Sequence, residues 1–265
     1  MSIKKQIELE NLYSKNQLMP RIKAEFLNSK TPDFVGYLDS LDIDKNFGIT
    51  VLAQMSLHKR CDLPTLVGIM SNDSVTPQEA ADLLYQLACA DLLDWSPALR
   101  VFTVRYEISA DVQEELDRFQ YPLPFVVEPK EIESNMDRGY YTTKGSVILK
   151  NNHHEGDVCL DHLNRCNKVQ FSIDHRVVSL VKNEWRNLDK PKQGETKQDF
   201  AKRVKAFEKY DRTAHDVMAM LPEKFNLSHR PDKRGRTYSQ GYHVNYQGNA
   251  WNKACIMFAE QEVCE

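Results

Sequence analysis

The chain has 265 residues, 41% of them hydrophobic, and a nearly balanced formal charge of −3 from 35 Lys and Arg against 38 Asp and Glu. That length supports one large or two small domains with cores of their own, and no apolar run approaches the roughly 20 residues of a membrane-spanning helix. Cys61, Cys89, Cys159, Cys166, Cys255 and Cys264 form no tight framework and no leader-like segment opens the chain, which points to a reducing cytoplasm. The charge is unevenly spread: residues 1–120 carry 12 basic against 18 acidic side chains, whereas residues 200–253 carry 11 against 5. A basic concentration of that kind suits an anionic partner bound late in the chain.

In chain order, residues 1–30 show apolar positions at helical spacing (Ile7, Leu9, Leu12, then Ile22 and Phe26), predicting helices broken at Pro20. From Asn46 to Tyr106 the pattern sharpens into three helical stripes. The third is opened by Thr76-Pro77-Gln78-Glu79, a capping box with proline at the first helical position. A hairpin over Leu92 to Tyr106 follows, so the order is that of a winged helix. Its third helix would lie in the major groove, yet it carries Gln78, Glu79, Asp82 and Gln86 and no Lys or Arg. A groove-reading helix normally has basic support, so protein docking or a structural role is the better expectation.

Asp111 to Gln120 reads as a short acidic helix, ending before Tyr121-Pro122-Leu123-Pro124, the best boundary in the chain. Phe125 to Lys130 reads as extended, and Gly145 to Leu149 as a strand. Asp157 to about Leu188 shows a continuous apolar stripe through Leu160, Leu163, Cys166, Val169, Ile173 and Val177, predicting one long helix. After the polar break Pro191 to Glu195, a second long helix is expected from Thr196 to Leu221, bearing Lys202, Arg203, Lys205, Lys209 and Arg212. Within the first of these stretches His154, Cys159, His162 and Cys166 offer ligands that zinc would accept. Cys159 and Cys166 equally fit the apolar stripe as small core residues.

The most informative segment is Asp232-Lys233-Arg234-Gly235-Arg236-Thr237-Tyr238, followed by Gln247-Gly248-Asn249 and Lys253. On an extended strand Arg234 and Arg236 would project on one side, roughly 7 Å apart. Their planar forks suit bidentate phosphate contacts, and Gly235 would let another backbone approach. Ser239 to Tyr246 is expected as a strand or strand pair kinked at Gly241. Asn249 is expected to cap a closing helix from Ala250 to about Gln261.

The order D-x-R-G-R-x-Y, then Q-G-N and a lysine four residues on, resembles a signature of the phage and mitochondrial single-subunit RNA polymerases. Lys233 stands where that family usually has an aromatic residue, and one extra residue precedes Gln247. Leu163-Asn164 with Phe171-Ser172-Ile173-Asp174 is similar to a second family pattern, L-N…W-x-I-N, in which Phe171 and Asp174 are conservative departures. The resemblance implies a mixed α+β, mainly helical chain. It would comprise a helical domain (1–120) with a winged-helix-like module (46–106), an extended or β segment (121–155), a thumb-like helix pair (156–222) and a first palm segment of strand, turn and helix (223–265).

The resemblance further implies that Asp232, Arg234, Gly235, Arg236, Tyr238, Gln247, Asn249 and Lys253, with Lys202, Arg203 and Lys205 of the thumb, contact DNA template and RNA–DNA hybrid. The family's catalytic aspartates lie downstream of this element, so no catalytic residue is expected in this chain. Magnesium would be bound by a second polymerase subunit in a heterodimer, as in the two-chain enzymes of schitovirus-type podophages, and the setting would be the cytoplasm of an infected bacterial host. A stand-alone winged-helix transcription factor or a single-strand-binding accessory protein is the alternative expectation.

Overall fold

The computed structural model describes residues 1–13, 15–150 and 152–260. They divide into two compact units, one of Lys15–Gln120 and one joining Met1–Ser14 to Tyr121–Glu265. The chain is mixed α and β, with short antiparallel strands among predominantly helical elements. Among the described residues no helix is long and apolar enough to cross a membrane.

Helix α1 (Ile3–Tyr13) belongs to the second unit, and the first begins with α2 (Lys15–Leu27) and α3 (Phe34–Ser40). Pro20 lies inside α2 instead of between helices. As the sixth residue of the helix it removes the backbone bond to the carbonyl four residues back. The core of this unit gathers round α4 (Lys45–His58), where Phe47, Ile49, Val51, Leu52 and Met55 are all buried. A helix apolar on most sides is one surrounded by packing partners.

Strand β1 (Arg60–Asp62) then leads into α5 (Leu63–Met70) and α6 (Pro77–Cys89), and β2 (Asp94–Ser96) and β3 (Val101–Thr103) form the expected hairpin. The expected capping box of α6 is present: Thr76 Oγ1 accepts from Glu79 N at 3.3 Å and Glu79 Oε2 accepts from Thr76 N at 2.8 Å. β3 lies between β1 and β2, which places Cys61, Phe102 and Trp95 opposite one another. β1 is too short to be legible as a periodic pattern. The unit closes with α7 (Ala110–Phe119), whose Glu115 pairs with Arg21 of α2.

In the second unit, α1 acts as a clamp through two buried polar side chains. Gln6 Oε1 accepts from Val126 N at 2.9 Å, while the Glu10 carboxylate accepts from Tyr141 N at 2.9 Å and from Thr142 N and Oγ1 at 2.6 and 2.8 Å. Those bonds satisfy backbone groups of residues 121–149, which are held without regular strands. The strand expected over 145–149 is therefore absent. Its carbonyls are taken instead by the Arg230 guanidinium, which donates to Ser146 O at 2.9 Å, Val147 O at 3.1 Å and Ile148 O at 2.6 Å. Ile132, Val147, Ile148 and Leu163 pack together beneath.

The long helix expected over 157–188 is not formed, and with it goes the pair of long helices. The chain makes α8 (Leu160–Lys168), β4 (Gln170–Ile173), α9 (His175–Leu180) and a 3₁₀ turn (Arg186–Leu188). Asparagine side chains account for the interruption, because they bond backbone outside their own helix. Asn164 exchanges two hydrogen bonds with Ile132, and Asn167 accepts from His229 N at 2.8 Å while its own carbonyl takes Asn226 Nδ2. Phe171 and Ile173 then bury on one side of a strand, a period of two hidden within a stripe that also matched 3.6. Asp174 restarts the helix by accepting from Arg176 N and Val177 N.

The one long helix among the described residues is α10 (Lys197–Met220), capped by Thr196. After it come β5 (Phe225–Asn226), β6 (His229–Pro231), β7 (Thr237–Ser239), α11 (Ala250–Ala254) and β8 (Ile256–Phe258). One sheet has the order β5-β4-β8, and β6 and β7 form a hairpin of their own. The closing helix is thus only five residues long before the chain returns as β8 against β4. Its expected end, Gln261, and Cys264 lie outside the described residues.

Candidate nucleic-acid interface

The R-G-R segment is not an extended strand. It is the turn of the β6–β7 hairpin, closed by Asp232 N donating to Arg236 O at 2.9 Å and Gly235 N donating to Asp232 O at 3.0 Å. The Asp232 carboxylate organises this turn from inside. Oδ1 accepts from the backbone N of Arg234 at 2.8 Å and of Arg236 at 3.1 Å, and Oδ2 accepts from Arg236 Nε at 2.9 Å and Nη2 at 2.8 Å. An aspartate two residues before the turn apex competes successfully with strand geometry, which is why the extended reading fails.

Gly235 has φ +80°, the left-handed region where other residues are strained, and a Cβ built there would meet nothing within 4 Å. The glycine is thus required by conformation, and the space beside it is open. Burial works to raise the Asp232 pKa, but it is outweighed by the hydrogen bonds from Arg236 and by its charge, and the carboxyl stays below its ordinary range. The same contacts raise the Arg236 pKa.

The two arginines consequently differ. Arg236 is anchored by Asp232, and its guanidinium carbon also lies 5.9 Å from the Tyr238 ring centre, with the Tyr238 hydroxyl 3.4 Å from Asp232 Oδ2. Arg234 approaches Asp232 only at 3.6 Å, and its side chain is 64% exposed against 18% for the aspartate. Lys233 is exposed on the same turn. Such a turn can hold an anion by presenting Arg234 and Lys233 outward while Arg236 keeps the loop in shape.

The other expected contact residues divide in the same way. Gln247 Oε1 accepts from Ser239 N at 2.8 Å, tying down the end of β7. Asn249 caps α11 as expected, its Oδ1 accepting from Asn252 N at 2.7 Å, and Lys253 on that helix is exposed. On α10, Lys202 and Lys205 are exposed, but Arg203 is not a surface fork. It grips Glu195 through Nε to Oε1 at 2.8 Å and Nη2 to Oε2 at 2.7 Å, with Nη1 reaching Asn187 O. That grip holds the Glu195 pKa down to about 2. Arg203 therefore ties the loop before α10 to the helix, and the intramolecular carboxylate takes the place of a phosphate.

Beside the R-G-R turn lies a cleft of about 320 Å³, lined by Asp232, Lys233 and Gly235 on one side and by His154, Asp157 and His162 on the other. Sequence reasoning singled out the histidines as possible metal ligands and missed their place beside the turn. Among the described residues no three His, Cys, Asp or Glu side chains converge as a metal site would need. His162 Nε2 instead contacts Cys166 Sγ at 3.6 Å. No protein-family model matches the chain, and no curated protein matches it.

Proposed function

We propose that this chain is a subunit of a split, phage-type DNA-directed RNA polymerase, and that the β6–β7 turn holds template or RNA–DNA hybrid. The observation that carries the reading is the Asp232-anchored turn, with Arg236 locked and Arg234 presented outward from an open glycine. A sugar-phosphate chain is an anion that such a turn fits. The excess of basic over acidic residues across 200–253 and the resemblance of D-x-R-G-R-x-Y…Q-G-N…K to the single-subunit polymerase signature support the same partner. On this reading Lys202, Lys205 and Lys253 add electrostatic grip, while Asp232, Arg203, Gln247 and Asn249 act by positioning. Thumb and palm remain names for α10 and for the β6–α11 segment within this proposal. Nucleotidyl transfer itself needs metal ions held by carboxylates, which a second polypeptide would supply as the heterodimer partner, in a phage-infected bacterial host.

The unit of residues 15–120 fits a supporting role. Its order α4-β1-α5-α6-β2-β3 with sheet order β1-β3-β2 supports reading it as a winged-helix-like module. On α6, however, the polar side chains bond one another, Gln78 Nε2 to Asp82 Oδ1 at 3.0 Å, and no basic residue is present. Docking to protein suits this module better than reading a groove.

The test is primer extension on a preformed RNA–DNA scaffold with the chain alone, and with a co-expressed polypeptide bearing the missing carboxylates. The chain alone should not extend the primer. In the assembled enzyme Arg234→Ala should reduce extension by about tenfold to a hundredfold, with Arg234→Lys rescuing only in part because lysine lacks the bidentate fork. RNA synthesis by the chain alone, or full activity of Arg234→Ala and Arg236→Ala, would end this reading.

A further inference from the structure

Between β7 and α11 the chain makes a loop that places one aromatic ring in solvent. Tyr242 is 46% exposed, although one of its faces is covered by Tyr121, whose ring is stacked on it at 4.1 Å and 20°. Tyr210 of α10 and His243 stand nearly perpendicular to it at 5.3 and 5.0 Å. An exposed ring on a slack loop would fold back on the surface, so the rigidity of this loop is informative.

Its backbone is stitched from several sides. Asn245 Nδ2 donates to Ser239 O at 3.1 Å and to Gly241 O at 3.0 Å, and Asn245 Oδ1 accepts from Gln247 N at 2.8 Å. Buried Asn252 accepts from Asn245 N at 2.8 Å and donates to His243 O at 2.8 Å and to the Tyr210 hydroxyl at 3.1 Å. Gly241 has φ +141°, and a Cβ there would stand 2.4 Å from Val244 O, so the turn closes only with glycine. The Tyr242 ring is thus set in position before any ligand arrives, which removes the ordering entropy that a mobile ring would lose on binding.

We propose that Tyr242, backed by Tyr121, is a stacking platform for a base of single-stranded nucleic acid. A flat π face on a rigid loop accepts any base, and such stacking needs no hydrogen-bond code. The loop favours a base over a protein side chain. Tyr242 is its exposed hydrophobic residue, its one aliphatic residue, Val244, is buried, and Gln240, Asn245, Gln247 and Asn249 keep the rest of the loop mainly polar. In the chain the loop joins the hairpin that carries Arg234 and Arg236 to the helix that carries Lys253, so phosphate-directed cations precede and follow the ring. The inference rests on the nucleic-acid reading above and adds a base contact to it.

The experiment is anisotropy titration of the purified full chain with an end-labelled single-stranded oligonucleotide over a range of salt, using Tyr242→Ala, Tyr242→Leu, Tyr242→Phe and Arg234→Ala. Tyr242→Ala and Tyr242→Leu should weaken binding by about fivefold to a hundredfold, and Tyr242→Phe by less than about twofold, since stacking needs the ring. The salt slope should stay unchanged in the Tyr242 variants and fall in Arg234→Ala. If Tyr242→Ala binds like the parent while Arg234→Ala is weakened, the platform is refuted and the arginine turn stands. Equal binding by Tyr242→Leu and Tyr242→Phe would reduce the site to an apolar contact of the kind a protein partner makes, which also overturns the proposal. No binding by the parent chain at low salt would overturn both readings together.

Discussion

Acid should loosen the hairpin unit through one histidine. His229 opens β6, three residues before Asp232, and is buried. Asn167 Oδ1 already accepts from the His229 backbone N at 2.8 Å, so it also accepts from ring Nδ1 at 3.0 Å, leaving Nε2 to receive the Tyr246 hydroxyl at 2.9 Å. That assignment makes the ring neutral. Burial first, and His162 nearby, lower its pKa from 6.5 to about 4, against a backbone bond at Leu227 that works to raise it. Below pH 6.5 the unfolded chain takes up this proton and the folded chain does not, so stability falls with falling pH between about 6.5 and 4. The linkage relation gives a loss of about 2 kcal/mol at pH 5 relative to pH 7. The assay is urea denaturation at both pH values in a Trp95→Phe background, where Trp185 and Trp251 report on this unit alone. The parent's loss should exceed that of His229→Gln by about 2 kcal/mol. Equal pH dependence in the two proteins would refute the reasoning.

Three further outcomes follow from particular contacts. Gly235→Ala should destabilise the hairpin by about 1 kcal/mol through backbone strain alone, since open space surrounds the position; a thermal midpoint equal to the parent's would show that the turn does not need φ +80°. Arg203→Ala should speed tryptic cleavage after Lys192 severalfold by releasing Glu195, whereas Lys202→Ala with Lys205→Ala should leave cleavage there unchanged and lower only salt-dependent nucleic-acid binding. Equal protection in the two variants would return Arg203 to the surface set. Glu10→Ala should lower stability by about 1.5–3 kcal/mol, because the partly buried N–H groups of Tyr141 and Thr142 lose a charged acceptor, and denaturant midpoints within error of the parent would contradict the clamp.

What the sequence determined by itself was local. The capping box at Thr76 and Glu79, the β2–β3 hairpin, the long α10 and the cap at Asn249 all follow from contacts within a few residues, and each was legible. Residue types and order also singled out the R-G-R segment. Its geometry was not legible: strand periodicity says nothing of an Asp232 carboxylate that folds the segment into a turn and uses up one of its two arginines. Tertiary structure alone decided the rest. The stripe from Leu160 to Val177 satisfies a helical period and a strand period at different places. Only the pairing of β4 with β5 and β8, and the bonds of Asn164 and Asn167 to residues more than thirty positions away, break the tie. Likewise Arg203 looks like its neighbours Lys202 and Lys205 until Glu195 is placed beside it. Long-range hydrogen bonds to buried backbone are worth more than the small differences in helix propensity that a sequence displays, and their partners become visible only when the chain is folded.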